Sequence, residues 1–319
     1  MAKMTSRERL LTALRRGVPD RIPCFPHNIR WLRYHYGCCC PHHQLKLALD
    51  MGFDAVVNFG QYVCRSLSND YVYSPGGGFA YSVNGTYGDL PDAKVDLRIE
   101  NRGEIVRYER TFHTPAGDLH DVIEWARPNT GYGDGPNPHR VEPLVKTSDD
   151  VEALAFLFPP PRRDMLADIP LVLEEIGDRA LVAASDNTHV GGWGLEALGA
   201  SERLVLSLTE PQLLARVCRM TQDVHLRNLR AMLERGIGVV FDSWFQTGPS
   251  NGWSPATFTE VFLPLIRESI DLAHEFGAVY IYQDDGRMRD AIPQVVEAGV
   301  DVLSGMQPPP IGDVVLSEV

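Results

Sequence analysis

Apolar positions along this chain recur at two spacings, and the switches between them outline the architecture. Helical spacing opens the chain. Thr5 and Glu8 stand in capping-box relation ahead of an amphipathic run that ends near Arg16 and is broken by Gly17, Pro19 and Asp20. Residues 21–26 read as a short strand leading to the polar turn His27-Asn28, residues 44–51 as a helix stopped by Gly52, and residues 54–58 as a second strand. From 62 to 140 glycine and proline become dense, as in Ser74-Pro75-Gly76-Gly77-Gly78. There the apolar spacing falls to two over 105–112 and 119–125, around Thr114-Pro115-Ala116-Gly117. That is the pattern of β-hairpins. With no helices of its own to cover it, the stretch reads as an insertion and not as an independent domain.

After Thr147 helix and strand alternate. Helices are expected over 149–156 and 165–176, a strand over 180–185, a long helix over 211–235 and a strand over 237–241. Ser254 and Pro255 are an N-cap and first helical residue for a helix that reaches Phe276 and stops at Gly277. A strand over 279–282, a helix over 288–298 and a strand over 300–304 follow. Such alternation implies parallel strands joined by helical crossovers. Polar residues close nearly every strand: His27, Asn58, Asp186 with Asn187, Asp242, Gln283 to Asp285, and Ser304. In a barrel these ends converge on one site, whereas in an open sheet only those near the switch point meet. The expected fold is therefore α/β, a (β/α)8 TIM-type barrel in one domain over 1–319, with 62–140 inserted. About six of its eight strands are present, so the final strand–helix units are expected to be missing.

Composition narrows the class of function. Of 319 residues 44% are hydrophobic and 23% charged, with a formal net charge of −12. An acidic surface disfavours nucleic acid as a partner and leaves a small-molecule substrate or a second copy of the chain. No apolar run reaches the roughly 18 residues of a membrane span, and the charged N-terminus lacks a signal-peptide core. The six cysteines (Cys24, Cys38, Cys39, Cys40, Cys64 and Cys218) form no spaced disulfide framework, which points to the cytoplasm.

Three constellations can carry chemistry. In Phe241-Asp242-Ser243-Trp244-Phe245-Gln246 an acid, an indole and an amide leave a strand together. Asp242 could accept a proton, bind a cation or hold a substrate N–H, and Trp244 could stack on a flat ligand. The same residues also read as a helix-capping carboxylate and a packing tryptophan. In Tyr282-Gln283-Asp284-Asp285-Gly286-Arg287 two adjacent carboxylates at a strand end repel, and burial would raise one pKa. A solvated turn is the competing reading. His27, Arg30 and Arg33 sit on an aromatic-rich segment that suits a ligand carboxylate, or else a solvated helix. His189 beside Gly191-Gly192-Trp193-Gly194 reads equally as a pocket acid or base and as a structural histidine. Cys38-Cys39-Cys40-Pro41-His42-His43 lacks the spacing of a structural zinc site. Gly192-x-Gly194-x-x-Ala197 starts too far from its strand for a dinucleotide fingerprint.

Several of these segments resemble the uroporphyrinogen decarboxylase superfamily, which includes cobalamin-dependent methyltransferases. They are Thr5-Ser6-Arg7-Glu8-Arg9 through Pro19-Asp20-Arg21-Ile22-Pro23, Asp242-Ser243-Trp244-x-Gln246, Ser254-Pro255-x-x-Phe258, and the stretch from Ile292 to Asp301. Thr114-Pro115-x-Gly117-x-Leu119 and Pro308-Pro309-Pro310-x-Gly312-Asp313 look more like the methyltransferase branch. The resemblance implies a barrel with its site at the strand carboxyl ends and a methyl group moved from a small methylated substrate, methoxylated aromatics included, to a corrinoid protein. Where zinc-dependent members carry His-x-Cys-Gly, this chain has Gln283, Asp285 and Gly286, a donor set that argues against thiolate zinc. Asp242 and Asp285 are then the proton-handling candidates and the side chains that would serve a metal. Gln283 and His189 complete the catalytic set. His27, Arg30, Arg33, Asn58, Trp193, Trp244 and Gln246 are the substrate-binding set. Two alternatives stand beside this reading: decarboxylation of a uroporphyrinogen-type acid, and a non-catalytic or vestigial ligand-binding barrel.

Overall fold

The strands of the described residues are, in chain order, β1 (Ala55–Phe59), β2 (Lys94–Arg102), β3 (Ile105–Thr114), β4 (Gly117–Ala126), β5 (His139–Glu142), β6 (Ala180–Ala184), β7 (Val239–Ser243), β8 (Val279–Gln283) and β9 (Val302–Ser304). The computed structural model describes residues 3–25, 41–59, 90, 92–127, 131, 139–158, 163–186, 188–315 and 317. The side chains of 41–43, 163–165, 192 and 193 lie outside that description. The chain forms two compact units. One comprises Met1–Leu67, Pro161–Asn187 and His225–Val319, the other Ser68–Pro160 and Thr188–Val224.

The first unit is built on a five-stranded parallel sheet in the order β1-β6-β7-β8-β9. Its strands are short and apolar on both faces, as in the fully buried Ala180–Ala184, which is how a parallel strand covered on both sides reads. Spatial order follows chain order without a reversal, so the sheet contains no topological switch point. The β7–β8 connection uses the helix Leu263–Glu275, entered through the Ser254 N-cap and a π-helical turn at Phe258–Phe262. The β8–β9 connection uses the helix Ile292–Glu297.

One face of the sheet carries the core. Leu181, Ala183, Val239, Phe241, Val279 and Ile281 pack together with Leu10, while Leu11, Leu14, Val56 and Val302 close in around them. The three leucines come from the helix Ser6–Leu14, whose capping box forms as the sequence implies. Residues 21–25, expected as the first strand, run beside the start of β1 without forming a ladder. Asp54 N–H donates to Cys24 O at 2.8 Å, and the residues that follow Phe25 lie outside the described residues. At the other end of β1, Gln44 accepts from Asn58 N–H at 3.0 Å and donates to Asn58 O at 3.4 Å.

A buried cation ties this corner together. Arg9 binds Asp54 at 2.5 Å and Asp20 at 2.6 Å, and Arg21 reaches Asp54 at 2.8 Å. The Arg9 hydrogen bond holds the Asp20 carboxyl far below the usual carboxylate range. The opening motif that carries the family resemblance is therefore a clamp at the amino end of β1.

The second unit holds an antiparallel sheet in the order β2-β3-β4-β5. The expected hairpin forms with its turn between Thr114 and Gly117, where Thr114 Oγ1 donates to Gly117 O at 2.7 Å and Gly117 takes a φ of 129°. Buried and half-buried residues alternate along β3. Asp121 sits between Arg110 and Arg140, all three buried; burial works against its charge, but the two guanidiniums outweigh it and lower its pKa. The helix Asp150–Ala155, which follows the hairpins in the chain, packs on β4. No helix among the described residues is long and apolar enough to cross a membrane.

The Arg9 clamp generates a prediction. Arg9→Met leaves Asp54 buried without its main counter-charge, and chemical denaturation is expected to show a loss of about 3–5 kcal/mol. A loss below about 1 kcal/mol would show that the clamp does not hold β1.

Candidate functional site

Side chains alternate along a strand, so each strand of the first unit presents residues i and i+2 on one face. On β7 the face that carries Val239 and Phe241 ends in Ser243. On β8 the face with Val279 and Ile281 ends in Gln283, and on β9 the face with Val302 ends in Ser304. Register aligns these ends: Ser243 lies opposite Gln283, and Gln283 opposite Ser304. The row before them, Phe241, Ile281 and Val302, is apolar throughout. A polar row thus caps an apolar one at the carboxyl edge, where parallel α/β sheets place their ligands. Ser243 Oγ donates to Gln283 Oε1 at 2.6 Å. Asn58 lies on the same face of β1, buried, with Oδ1 lacking a hydrogen-bond partner.

The opposite face carries a different polar system, and Asp242 belongs to it. Asp242 is fully buried, and its Oδ2 accepts from His225 Nε2 at 3.0 Å and from the Tyr280 hydroxyl at 2.8 Å. Trp244 Nε1 donates to that same hydroxyl at 2.9 Å. His225 Nδ1 faces Asp186 at 3.6 Å. Burial opposes the imidazolium charge, yet Asp242 and Asp186 outweigh it and push the His225 pKa up to about 10. Burial, reinforced by Asp242, drives the Tyr280 phenol well above its ordinary value. Burial runs past Asp242 and on through Trp244. Trp244 is a packed, hydrogen-bonded indole with no exposed face for stacking.

The loops after β7, β8 and β9 meet around a second carboxyl. Asp284 is fully buried, accepting from the Tyr282 hydroxyl at 2.8 Å and from Asp285 N–H at 2.7 Å. Burial pushes its pKa up to about 8, against the lowering effect of those two donors. Gly248 makes this packing possible, because a Cβ there would stand 2.7 Å from Asp284 Oδ2. The segment after β9 folds back over the same loop. Gly286 N–H donates to Gln307 Oε1 at 2.9 Å, and Asp313 Oδ1 accepts from Met288 N–H at 2.8 Å and Arg289 N–H at 3.1 Å. Asp285 is exposed at the surface of this layer.

Of the residues singled out from sequence, Gln283 stands in the polar row, Asn58 on its face, and Asp285 in the loop beyond it. Gln246 is buried in the β7 loop, its carbonyl accepting from Trp253 Nε1 at 2.8 Å. His189 is buried in the second unit, where its Nδ1 accepts from Gly191 N–H at 3.1 Å. His27, Arg30, Arg33 and the Trp193 side chain lie outside the described residues. Three groups escaped the sequence reading: Ser243 as partner of Gln283, His225 as partner of Asp242, and Asp284 as the buried member of its pair. His225 left a signal, because it falls on the stripe of Cys218, Thr221, Leu229 and Met232 that the helix Pro211–Leu233 buries.

Two pH effects follow. His225 holds a proton in the folded state that the unfolded chain loses near 6.5, so its stabilisation is complete below pH 6.5 and disappears as pH rises through about 10. Thermal melts of the parent chain and of His225→Gln should converge as pH rises through that window; parallel curves would remove the charge from the argument. Asp284 acts as a cost. The unfolded carboxyl ionises near 3.8 and the folded one near 8, so stability falls between these values by at most about 1.4 kcal/mol per pH unit. Asp284→Asn should raise the melting temperature at pH 8 and approach the parent near pH 4, and a destabilised variant at pH 8 would contradict this.

The sequence matches no protein-family model and no curated protein. Among solved structures that match is a methyltransferase from Methanosarcina mazei, with a TM-score of 0.55 and 14% sequence identity over 95% of this chain and 76% of that one. This chain is similar to that protein in fold: a mixed α/β structure with a five-stranded parallel sheet and a separate antiparallel one.

Proposed function

We propose that the chain is a methyltransferase-like enzyme on a (β/α)8-type scaffold, which moves a methyl group from a small methylated substrate, methoxylated aromatics among them, to a corrinoid carried by a partner protein. The observation that carries this reading is the polar row Ser243–Gln283–Ser304 closing an apolar layer at the carboxyl edge of a sequentially ordered parallel sheet. The fold likeness to a methyltransferase supports it at the level of class. The corrinoid supplies the acceptor for the methyl group. The chain's own part is to bind the methylated molecule, orient its heteroatom and return a proton to that atom, which keeps the bonding electron pair when the methyl leaves.

In this reading Gln283 and Asn58 orient the ligand. The proton comes from the Asp284–Asp285 pair at the end of β8, with Asp285 at the surface and Asp284 protonated up to about pH 8. Asp242 has a positioning role, holding β7 to the helix that carries His225. Thiolate zinc does not fit the matching positions, which carry the amide of Gln283 and the carboxylate of Asp285 and no thiol. Among the described residues no group of three His, Cys, Asp or Glu side chains could hold a metal ion.

The test is methyl transfer to reduced cobalamin as a stand-in acceptor, followed by its absorbance change, with a panel of methyl ethers, methanol and methylamines as donors. Methylation with at least one donor, lowered about tenfold or more in Asp285→Asn, is the expected result. Carbon dioxide release from a carboxylated tetrapyrrole, without any corrinoid, would replace methyl transfer with decarboxylation. Ligand binding with neither reaction would favour a non-catalytic barrel.

A further inference from the structure

The antiparallel sheet of the second unit ends in a strand with an open margin. β2 runs for nine residues, and among the described residues only β3 pairs with it. Its register is unbroken from Lys94 opposite His113 to Arg102 opposite Ile105, with neither the proline nor the bulge that commonly blunts a sheet edge. Every position of β2 except Leu97 is exposed. One side of the strand holds Val95, Leu97 and Ile99, which continue the row of Phe112, Arg110 and Tyr108 on β3. That row is buried on β3, yet Val95 is 36% exposed and Ile99 55%. The apolar face of the sheet is closed at β3 and left open at β2.

The other side of the strand carries charges of alternating sign: Asp92, Lys94, Asp96, Arg98, Glu100 and Arg102. Such a series complements a reversed copy of itself. With a twofold axis through Leu97, Asp92 faces Arg102, Lys94 faces Glu100 and Asp96 faces Arg98, while Val95 faces Ile99 and Leu97 faces its own copy. Moving the axis to Asp96 or Arg98 sets lysine and arginine against arginine and carboxylate against carboxylate. A shift of one residue in register sets the apolar side against the charged one. An axis at Val95 or Ile99 keeps the signs but carries one end of the series beyond the facing strand. Asp96 and Arg98 already touch His113 and Glu109 on β3, at 3.0 and 3.5 Å, but their side chains stay 81% and 76% exposed, which leaves room for a second partner.

We propose that β2 is a docking edge for a second copy of this chain, the two β2 strands pairing antiparallel about Leu97 so that the sheets of two protomers join into one. The pairing is isologous and closes after two copies. Main-chain bonds and the apolar stripe hold it, and the facing charges select the register. One added strand makes a small interface, so the dimer exchanges with monomer, with a dissociation constant on the order of micromolar. The inference stands on the second unit alone and does not depend on the methyl-transfer reading.

The test is sedimentation velocity of the full chain over a concentration series, with folding monitored by circular dichroism. The parent chain should pass from monomer to dimer. Asp96→Arg places a guanidinium against the facing Arg98, twice in each dimer, and should weaken association about tenfold or more. Arg98→Asp places a carboxylate against the facing Asp96 and should do the same. Both positions are exposed, so neither change should alter the circular dichroism. Mixed together, the two variants restore an opposite charge at both facing pairs and should associate with each other about as tightly as the parent does with itself. Damage to the fold, or an interface elsewhere on the chain, cannot produce that recovery. A parent chain that stays monomeric throughout the series overturns the inference. So do single variants that dimerise as tightly as the parent, and a mixture that associates no better than its components.

Discussion

The two-residue period of the parallel strands is the constraint on which the rest depends. On β7 and β8 it sends Val239, Phe241, Ser243, Val279, Ile281 and Gln283 to one side, and Asp242, Tyr280 and Tyr282 to the other. Both faces are buried, so neither tolerates a slip of one residue. A slip would bring the Asp242 carboxylate onto the apolar cluster around Leu10 and carry Ser243 away from Gln283. The ladder that holds the sheet together is thus the same device that decides which polar groups face a ligand and which face the helices.

The helix-facing side uses charge differently. Carboxylates at Asp186 and Asp242 would be costly there alone, and the helix Pro211–Leu233 brings the cation that answers them, His225. Tyr280 and Trp244 extend the chain of donors, so the system joins the helix to two strands by hydrogen bonds that have a fixed direction. Asp284 solves the same problem in the opposite way. Among the described residues it has no cation beside it, and burial keeps its proton on instead. The two buried acids thus stand in different surroundings, Asp242 against the His225 imidazole and Asp284 against the Tyr282 hydroxyl.

Much of the architecture was legible in the sequence. Strands expected over 54–58, 180–185, 237–241, 279–282 and 300–304 correspond to β1, β6, β7, β8 and β9, because apolar runs bounded by glycine and polar residues leave little choice of length. The hairpin β3–β4 was equally visible in its spacing of two. The strand expected over 21–26 is described only as far as Phe25, where it makes a bond to Asp54 and no ladder. The site was less legible for a specific reason. Sequence shows that Asp242 and Ser243 are adjacent, but only a strand boundary two residues later than expected shows that they point apart. Asp284 and Asp285 pose the same ambiguity, and only burial separates them. His225 lies far along the chain from either carboxylate, and nothing local names its partners.

The Gln44 side chain at the end of β1 has one further consequence. A primary amide carries a carbonyl and an N–H at nearly the spacing of a peptide group, and Gln44 presents both to the main chain of Asn58. It acts as a one-unit imitation of a neighbouring strand. One side chain thereby answers both hydrogen-bonding groups of the Asn58 main chain, which need no strand ladder at that position to be satisfied.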